Sequence, residues 1–161
     1  MNNFAFQQGM RNLPAGISII TTAVDDRWHG MVATSVTSLS ADPASLLVCL
    51  KKTVSMIGPV RTVKAFCVNV LAEPHESLPL VFSSPDLRER RFEHGHWSLV
   101  RGLPILHGAK ATFTCRLSKS MTYGTHDILI GDVESDVPVQ NEARPLVWYD
   151  GGCHVLRKTV A

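Results

Sequence analysis

Apolar positions recur at two different periods along the chain. Phe4, Met10 and Leu13, with Ala5 alongside, fall at near-helical spacing, and Pro14 and Gly16 follow, so residues 4–13 read as one short amphipathic helix. From Gly16 the period shortens to two. Residues 16–22 (GISIITT) alternate and are β-branched, and the polar stretch 24–29 reads as a hairpin connection into a second strand near 30–36. Residues 45–50 (SLLVCL) are continuously apolar, which predicts a strand covered on both faces. Residues 55–64 predict a short helix with Ser55 as its cap, 65–71 a further strand, and 75–83 a weaker helical pattern. Between Ser83 and Pro104 little periodicity survives. That makes it the longest loop-like segment, and loops of such length in compact domains commonly bind something. Four more strands are predicted at 111–117, 127–133, 146–148 and 154–156, with Tyr123-Gly124 as a turn. About seven strands, two or three small helices and no alternating βαβ units predict a mainly β fold, an antiparallel barrel closed or nearly so.

Composition narrows the function classes. A chain of 161 residues suits one domain over 1–161, and 45% apolar against 19% charged residues predicts an ordered core with some apolar surface left for a partner or ligand. Sixteen Lys and Arg against fourteen Asp and Glu leave a formal charge of +2, and the longest basic run, Arg88-Glu89-Arg90-Arg91, is short and interrupted. Nucleic acid as a partner is excluded on that pattern, because it calls for a clustered basic stripe. The first residues lack a basic region followed by an apolar core, and no apolar run reaches the roughly 18 residues that cross a bilayer, so no membrane role and a cytoplasmic location are expected. Cys49, Cys67, Cys115 and Cys153 form no C-x-x-C pair, which predicts buried reduced thiols and no metal site.

The segment HGMVATSVTSLSADP, residues 29–43, carries Thr34, Ser35, Thr37, Ser38 and Ser40 within seven positions. Such hydroxyls can bond neighbouring backbone or water. Alternatively they line a groove for a polar, phosphorylated ligand, together with nearby backbone N–H groups. Spacing does not choose between the two. The His94-x-His96 pair lacks a third metal ligand.

This same segment resembles the H-G-M-T-x-x-(S/A)-x-x-S-x-S-x-x-P stretch of the flavin reductase family, the small NAD(P)H:flavin oxidoreductases that supply two-component monooxygenases. Further matches follow in order: PAGISIITT at 14–22, FCVNVL at 66–71, Arg91-Phe92, Leu103-Pro104, Gly108-Ala109, HDILIGDV at 126–133 and Pro145-Leu146. The resemblance implies an FMN-binding split barrel that forms a homodimer, with the flavin in a groove at or near the subunit interface. It implies that Val32, Ala33, Thr34, Ser35 and Val36, with Ser38, Leu39 and Ser40, wrap the flavin's ring and ribityl chain. Thr53, Val54, Ser55 and Met56 fall at the phosphate end, with Lys51, Lys52 and Arg91 as neighbouring cations. His126 falls where the family places a His against the flavin and the nicotinamide, which makes it the candidate catalytic residue. It would position the rings, because the hydride passes directly from nicotinamide C4 to flavin N5.

The implied activity is NAD(P)H-dependent reduction of FMN or FAD, with NADH or NADPH as donor and a separate flavin-dependent monooxygenase as the recipient. Two departures bear on it. Val32 stands where the family commonly has Thr, and Gly151-Gly152-Cys153-His154 lacks the basic and aromatic residues that relatives carry near the nicotinamide. A flavin carrier without reductase activity is the alternative. A split-barrel oxidase acting on a pyridoxine-type vitamer is a third reading, disfavoured because no paired Arg and Lys are ordered for that phosphate.

Overall fold

A computed structural model describes residues 3–137 and 142–157. Helix α1 (Asn3–Arg11) is followed by β1 (Ala15–Gly16), β2 (Ser18–Val24), β3 (Arg27–Ala33), β4 (Val36–Ala41), β5 (Ala44–Lys51), α2 (Ile57–Val63) and β6 (Ala65–Val70). After α3 (Leu78–Ser83) come β7 (Trp97–Val100), β8 (Leu103–Leu106), β9 (Ala111–Tyr123), β10 (His126–Val137), β11 (Leu146–Tyr149) and β12 (Gly152–Val155). Seven strands form one antiparallel sheet in the order β3-β2-β6-β9-β10-β5-β4. Its two edges, β3 and β4, are consecutive in the chain. Thr34 and Ser35 carry the backbone from one edge to the other, and Ser35 is tied to β5 twice, its carbonyl accepting from Cys49 N–H at 3.1 Å and its hydroxyl donating to the Cys49 carbonyl at 2.6 Å. The sheet is thus rolled into a barrel with one seam, which is the split-barrel architecture the sequence predicts.

The barrel interior is filled by Ile20, Val48, Leu50, Phe66, Val68 and Leu129, all fully or almost fully buried, and α2 packs Ile57 and Val60 against them. Phe66 fits because position 131 has no side chain: a Cβ there would stand 2.5 Å from Phe66 Cζ and 2.8 Å from Cys115 Cβ. A second core lies outside the barrel wall, where Ile17, Ile19, Leu71, Leu78, Phe82 and Leu146 join α3 and the β1-β11-β12 sheet to the barrel.

Several boundaries differ from the sequence expectation for physical reasons. Strand β3 begins at Arg27 because Asp25 and Asp26 both adopt positive φ, 47° and 62°, and make a two-residue hairpin turn that the polar stretch concealed. Ser55 does not cap α2; Met56 holds that place, with no side-chain bond. The segment from 83 to 104 is not a plain loop: it contains a 3-10 turn, Arg88–Glu93, and then β7, which pairs with β8. Phe92 and Trp97 anchor it, with ring centroids 5.1 Å apart and both close to Phe82. Strand β5 is covered on one face only, with Leu46, Val48 and Leu50 buried while Leu47 and Cys49 are half-buried. Helix α1 buries none of its residues, so its apolar stripe of Phe4, Phe6 and Met10 faces outward. Of the four thiols, Cys67 and Cys115 are buried and pushed up to about 12 by desolvation, Cys49 is half-buried, and Cys153 is exposed. Among the described residues no helix is long and apolar enough to cross a membrane, and no group of three His, Cys, Asp or Glu could hold a metal ion.

Candidate active site

Four cavities follow one another along the seam, each sharing wall residues with the next. The largest, about 760 Å³, lies over Leu47 and Cys49 of β5 and is bounded by Thr34, Ser35, Val36 and Thr37, with Phe6 and Met10 of α1 opposite. Thr34 and Trp148 also line a neighbouring cavity of about 310 Å³ that reaches Val32, Ala33, Leu80 and Ser83. Val32 and Ser83 continue into a third, again about 310 Å³, walled by Thr53, Val54, Ser55 and Met56 and by Arg88 and Arg91. The last, about 280 Å³, shares Gly30, Ser55, Arg88 and Arg91 with the third and extends past Trp28, His29 and Phe92.

The chain positions these groups by simple means. Thr53, Val54 and Ser55 form the turn between β5 and α2, so they end beside the barrel mouth. Arg91 is almost entirely buried, and its guanidinium donates to the Gly30 carbonyl at 3.0 Å and to the Ser84 carbonyl at 2.9 Å. Burial lowers its pKa, with Arg88 adding to the effect. Its Nε makes no hydrogen bond although the atom is buried. Two hydroxyls and two arginines around one cavity make a chemically apt seat for a phosphate. Gly30 is required at its position, because a Cβ would fall 2.6 Å from Phe82 Cε1 and 2.9 Å from Phe92 Cζ. That close approach sets the carbonyl where Arg91 reaches it.

The structure brings together most of the predicted site residues. Val32, Ala33, Thr34, Ser35 and Val36 line the seam, Thr53, Val54, Ser55 and Met56 the third cavity, and Arg91 the third and fourth. Ser38, Leu39 and Ser40 are not with them: all three are exposed on the edge strand β4, and Ser40 closes the following turn through the Asp42 carbonyl at 2.9 Å. The hydroxyls divide by their surroundings. Ser35 and Ser40 are bonded to backbone, whereas Thr34 and Thr37 line the cavity without a side-chain hydrogen bond among the described residues.

His126 lines none of these cavities, but it stands on the face that forms the largest one. In the β5–β10 register Cys49 faces Ile128 and Lys51 faces His126, so His126 is the next residue on the outer face beyond the cavity floor. It is half-buried, and its Nδ1 lies 2.9 Å from the Thr125 hydroxyl. Lys51 and Lys52 are exposed beside it, away from the arginine cavity. Sequence reasoning missed Arg88 and Gly30. The basic run at 88–91 was the available signal for Arg88, and the H-G-M triplet for Gly30. His154 turns away, its Nε2 3.1 Å from the Tyr149 carbonyl.

Comparison with known proteins agrees with this fold. The family model described as "Flavin reductase like domain" matches residues 10–157, and the chain belongs to that family. It is 34% identical over 154 residues to the FMN reductase (NADH) RutF of Serratia proteamaculans, covering 95% of this chain and 87% of that protein. It is 38% identical over 146 residues to the reductase component of the FADH(2)-dependent resorcinol hydroxylase of a Rhizobium species, covering 89% and 81%. Among solved structures it resembles BorF, the flavin reductase component of a bacterial two-component tryptophan halogenase, with a TM-score of 0.89 and 26% identity over 98% of this chain and all of that one.

Proposed function

We propose that this protein is an NAD(P)H:flavin oxidoreductase that reduces FMN or FAD and releases it to a separate monooxygenase. The observation that carries the reading is the continuity of the seam: a seat for a phosphate at Thr53–Met56 and Arg91 opens directly into a long, hydroxyl-edged and otherwise apolar furrow at Val32–Val36. The relatives support both the donor and the recipient, since one is an NADH-dependent FMN reductase and another is the reductase component of a hydroxylase. When bound, the flavin supplies the hydride acceptor. The chain's residues hold its phosphate, lay its ring along β3 and the β3–β4 corner, and order the nicotinamide against it. His126 serves as the positioning group for the nicotinamide, and Ser38, Leu39 and Ser40 reach the ligand only where a second copy completes the groove.

A homodimer is part of the proposal. The outer face of β5 and β10 is apolar yet half-exposed at Leu47, Cys49, Ile128 and Ile130, and Phe6 and Met10 of α1, both exposed, stand across the same cavity. Unpaired thiols and a nicotinamide-linked reaction suit the cytoplasm.

Mixing the protein with NADH and either flavin and following the loss of reduced nicotinamide tests the reading. Steady consumption that requires added flavin is the expected result, and flavin binding without consumption would replace the reductase with a carrier. In the same assay His126→Ala is expected to raise the KM for NADH several-fold while leaving flavin affinity nearly intact. An unchanged KM removes His126 from the site.

A further inference from the structure

The hairpin that carries His126 has little apolar packing at its tip. From 118 to 128 the one buried residue is a carboxylate, Asp127, among neighbours that are exposed or half-buried, Met121 and Tyr123 included. A buried charge is costly unless it is paired and hydrogen-bonded. Asp127 Oδ2 accepts from Arg61 Nη2 at 3.0 Å and Oδ1 accepts from the Thr122 hydroxyl at 2.5 Å, while the same Nη2 lies 3.0 Å from the Ser120 hydroxyl. Arg61 belongs to α2, the helix that follows the turn at Thr53–Met56. We infer that Asp127 is a positioning residue: clamped by Arg61 and Thr122, it holds His126 on the cavity side of β10 and at a set place relative to the turn at the phosphate end. The inference rests on the reading of His126 given above and names what keeps that residue in place.

Strand geometry makes the link between the two residues. Successive side chains of a strand face opposite ways. Asp127 pairs with the buried Leu50 of β5 and points with it toward the barrel interior, so His126, paired with Lys51, points outward on the side of Ile128 and Cys49. A slip of one residue exchanges the two, turning the histidine in and the carboxylate out. Pairing in the barrel wall does not guard β9 against such a slip, because a register shift between Ile130 and Gly131 separates the tip from the regular ladder below it. Lys52 N–H donates to the Thr125 carbonyl at 3.1 Å and fixes the turn, and the Thr125 hydroxyl stands 2.9 Å from His126 Nδ1. A leucine at 127 would fill the barrel mouth as well as the aspartate does. The carboxylate adds a direction, since only this register brings it to the guanidinium and to the Thr122 hydroxyl. The guanidinium in turn is fixed, because Val60, its neighbour on α2, is buried in the barrel core. His126 and the Thr53–Met56 turn thus share one anchor.

Steady-state kinetics of the intact protein at saturating FMN, with a flavin titration alongside, test the clamp. Arg61→Met is expected to raise the KM for NADH about fivefold while changing kcat and FMN affinity less than about twofold, and Arg61→Lys, which keeps a cation beside Asp127, to bring the KM back to within about twofold. In a His126→Ala background, Arg61→Met should add less than about twofold, because the residue through which the clamp acts is gone. Asp127→Asn keeps the shape and a partner for Thr122 and removes the charge, so it serves as the second variant, with the same selective rise in KM expected. An unchanged KM in both Arg61→Met and Asp127→Asn overturns the inference. So does a rise that persists undiminished in the His126→Ala background, or one accompanied by an equal loss of FMN affinity, since the pair then supports the barrel as a whole. If His126→Ala itself leaves the KM unchanged, the role of His126 and the clamp fall together while NADH consumption keeps the reductase reading standing. Absence of NADH consumption by the unaltered protein overturns all three.

Discussion

The two faces of β5 carry nearly the same kind of residue and meet opposite fates. Leu46, Val48 and Leu50 point into the barrel and are buried, whereas Leu47 and Cys49 point outward and form the floor of an open cavity. Inside, the buried apolar side chains pack on others of the same chain. Outside, the proposed ligand and second copy would supply the cover. A strand that is apolar throughout predicts two covers, and this chain supplies one of them.

The inner face is expected to dominate stability. Phe66→Ala should cost about 3–5 kcal/mol, because it empties the space that Gly131 was shaped to leave, and chemical denaturation measures it. A loss under about 1 kcal/mol would mean the interior is far looser than its packing indicates. At the border between the faces, Arg91→Met should cost roughly 1.5–3 kcal/mol through its two carbonyl bonds and weaken FMN about tenfold. Retained FMN affinity would take the guanidinium out of the phosphate seat. On the outer face, Leu47→Asp should change monomer stability by no more than about 0.5 kcal/mol yet convert the proposed dimer to monomers, as read by light scattering. A monomeric unaltered protein would remove the dimer, and a dimer that survives the substitution would place the interface elsewhere.

The smallest effect concerns pH. His75 is buried, with Nδ1 accepting from Ala72 N–H at 3.4 Å and Nε2 donating to the His107 carbonyl at 3.1 Å, and its pKa is lowered by desolvation. His29 is lowered for the same reason. Both are therefore neutral in the folded chain while the unfolded chain takes up protons near the ordinary value of about 6.5, so stability is full above that pH and declines as pH falls below it. Denaturation midpoints at about pH 7.5 and about pH 5.5 should differ in that direction, and His75→Gln should flatten the slope.

The sequence made the barrel legible wherever a strand was long and its alternation clean, as in β2 and β6. It concealed β3's first three residues, because a turn built from two aspartates looks like any polar stretch. It concealed the organisation of 83–104, because elements of four to six residues are shorter than the window in which a period can be recognised. Most of the seam was legible through the resemblance at residues 29–43, which ordered residues that periodicity left ambiguous. Arg88 was hidden by the ordinary look of an interrupted basic run, and the setting of His126 by the register of β10 on β5, which periodicity does not reveal.

The seam between β3 and β4 lies open to solvent along Thr34, Ser35 and Thr37. In the proposed reductase the reduced flavin leaves this furrow for a separate receiver, and whatever meets dissolved oxygen first yields hydrogen peroxide instead, so economical use of nicotinamide would depend on the abundance of that receiver.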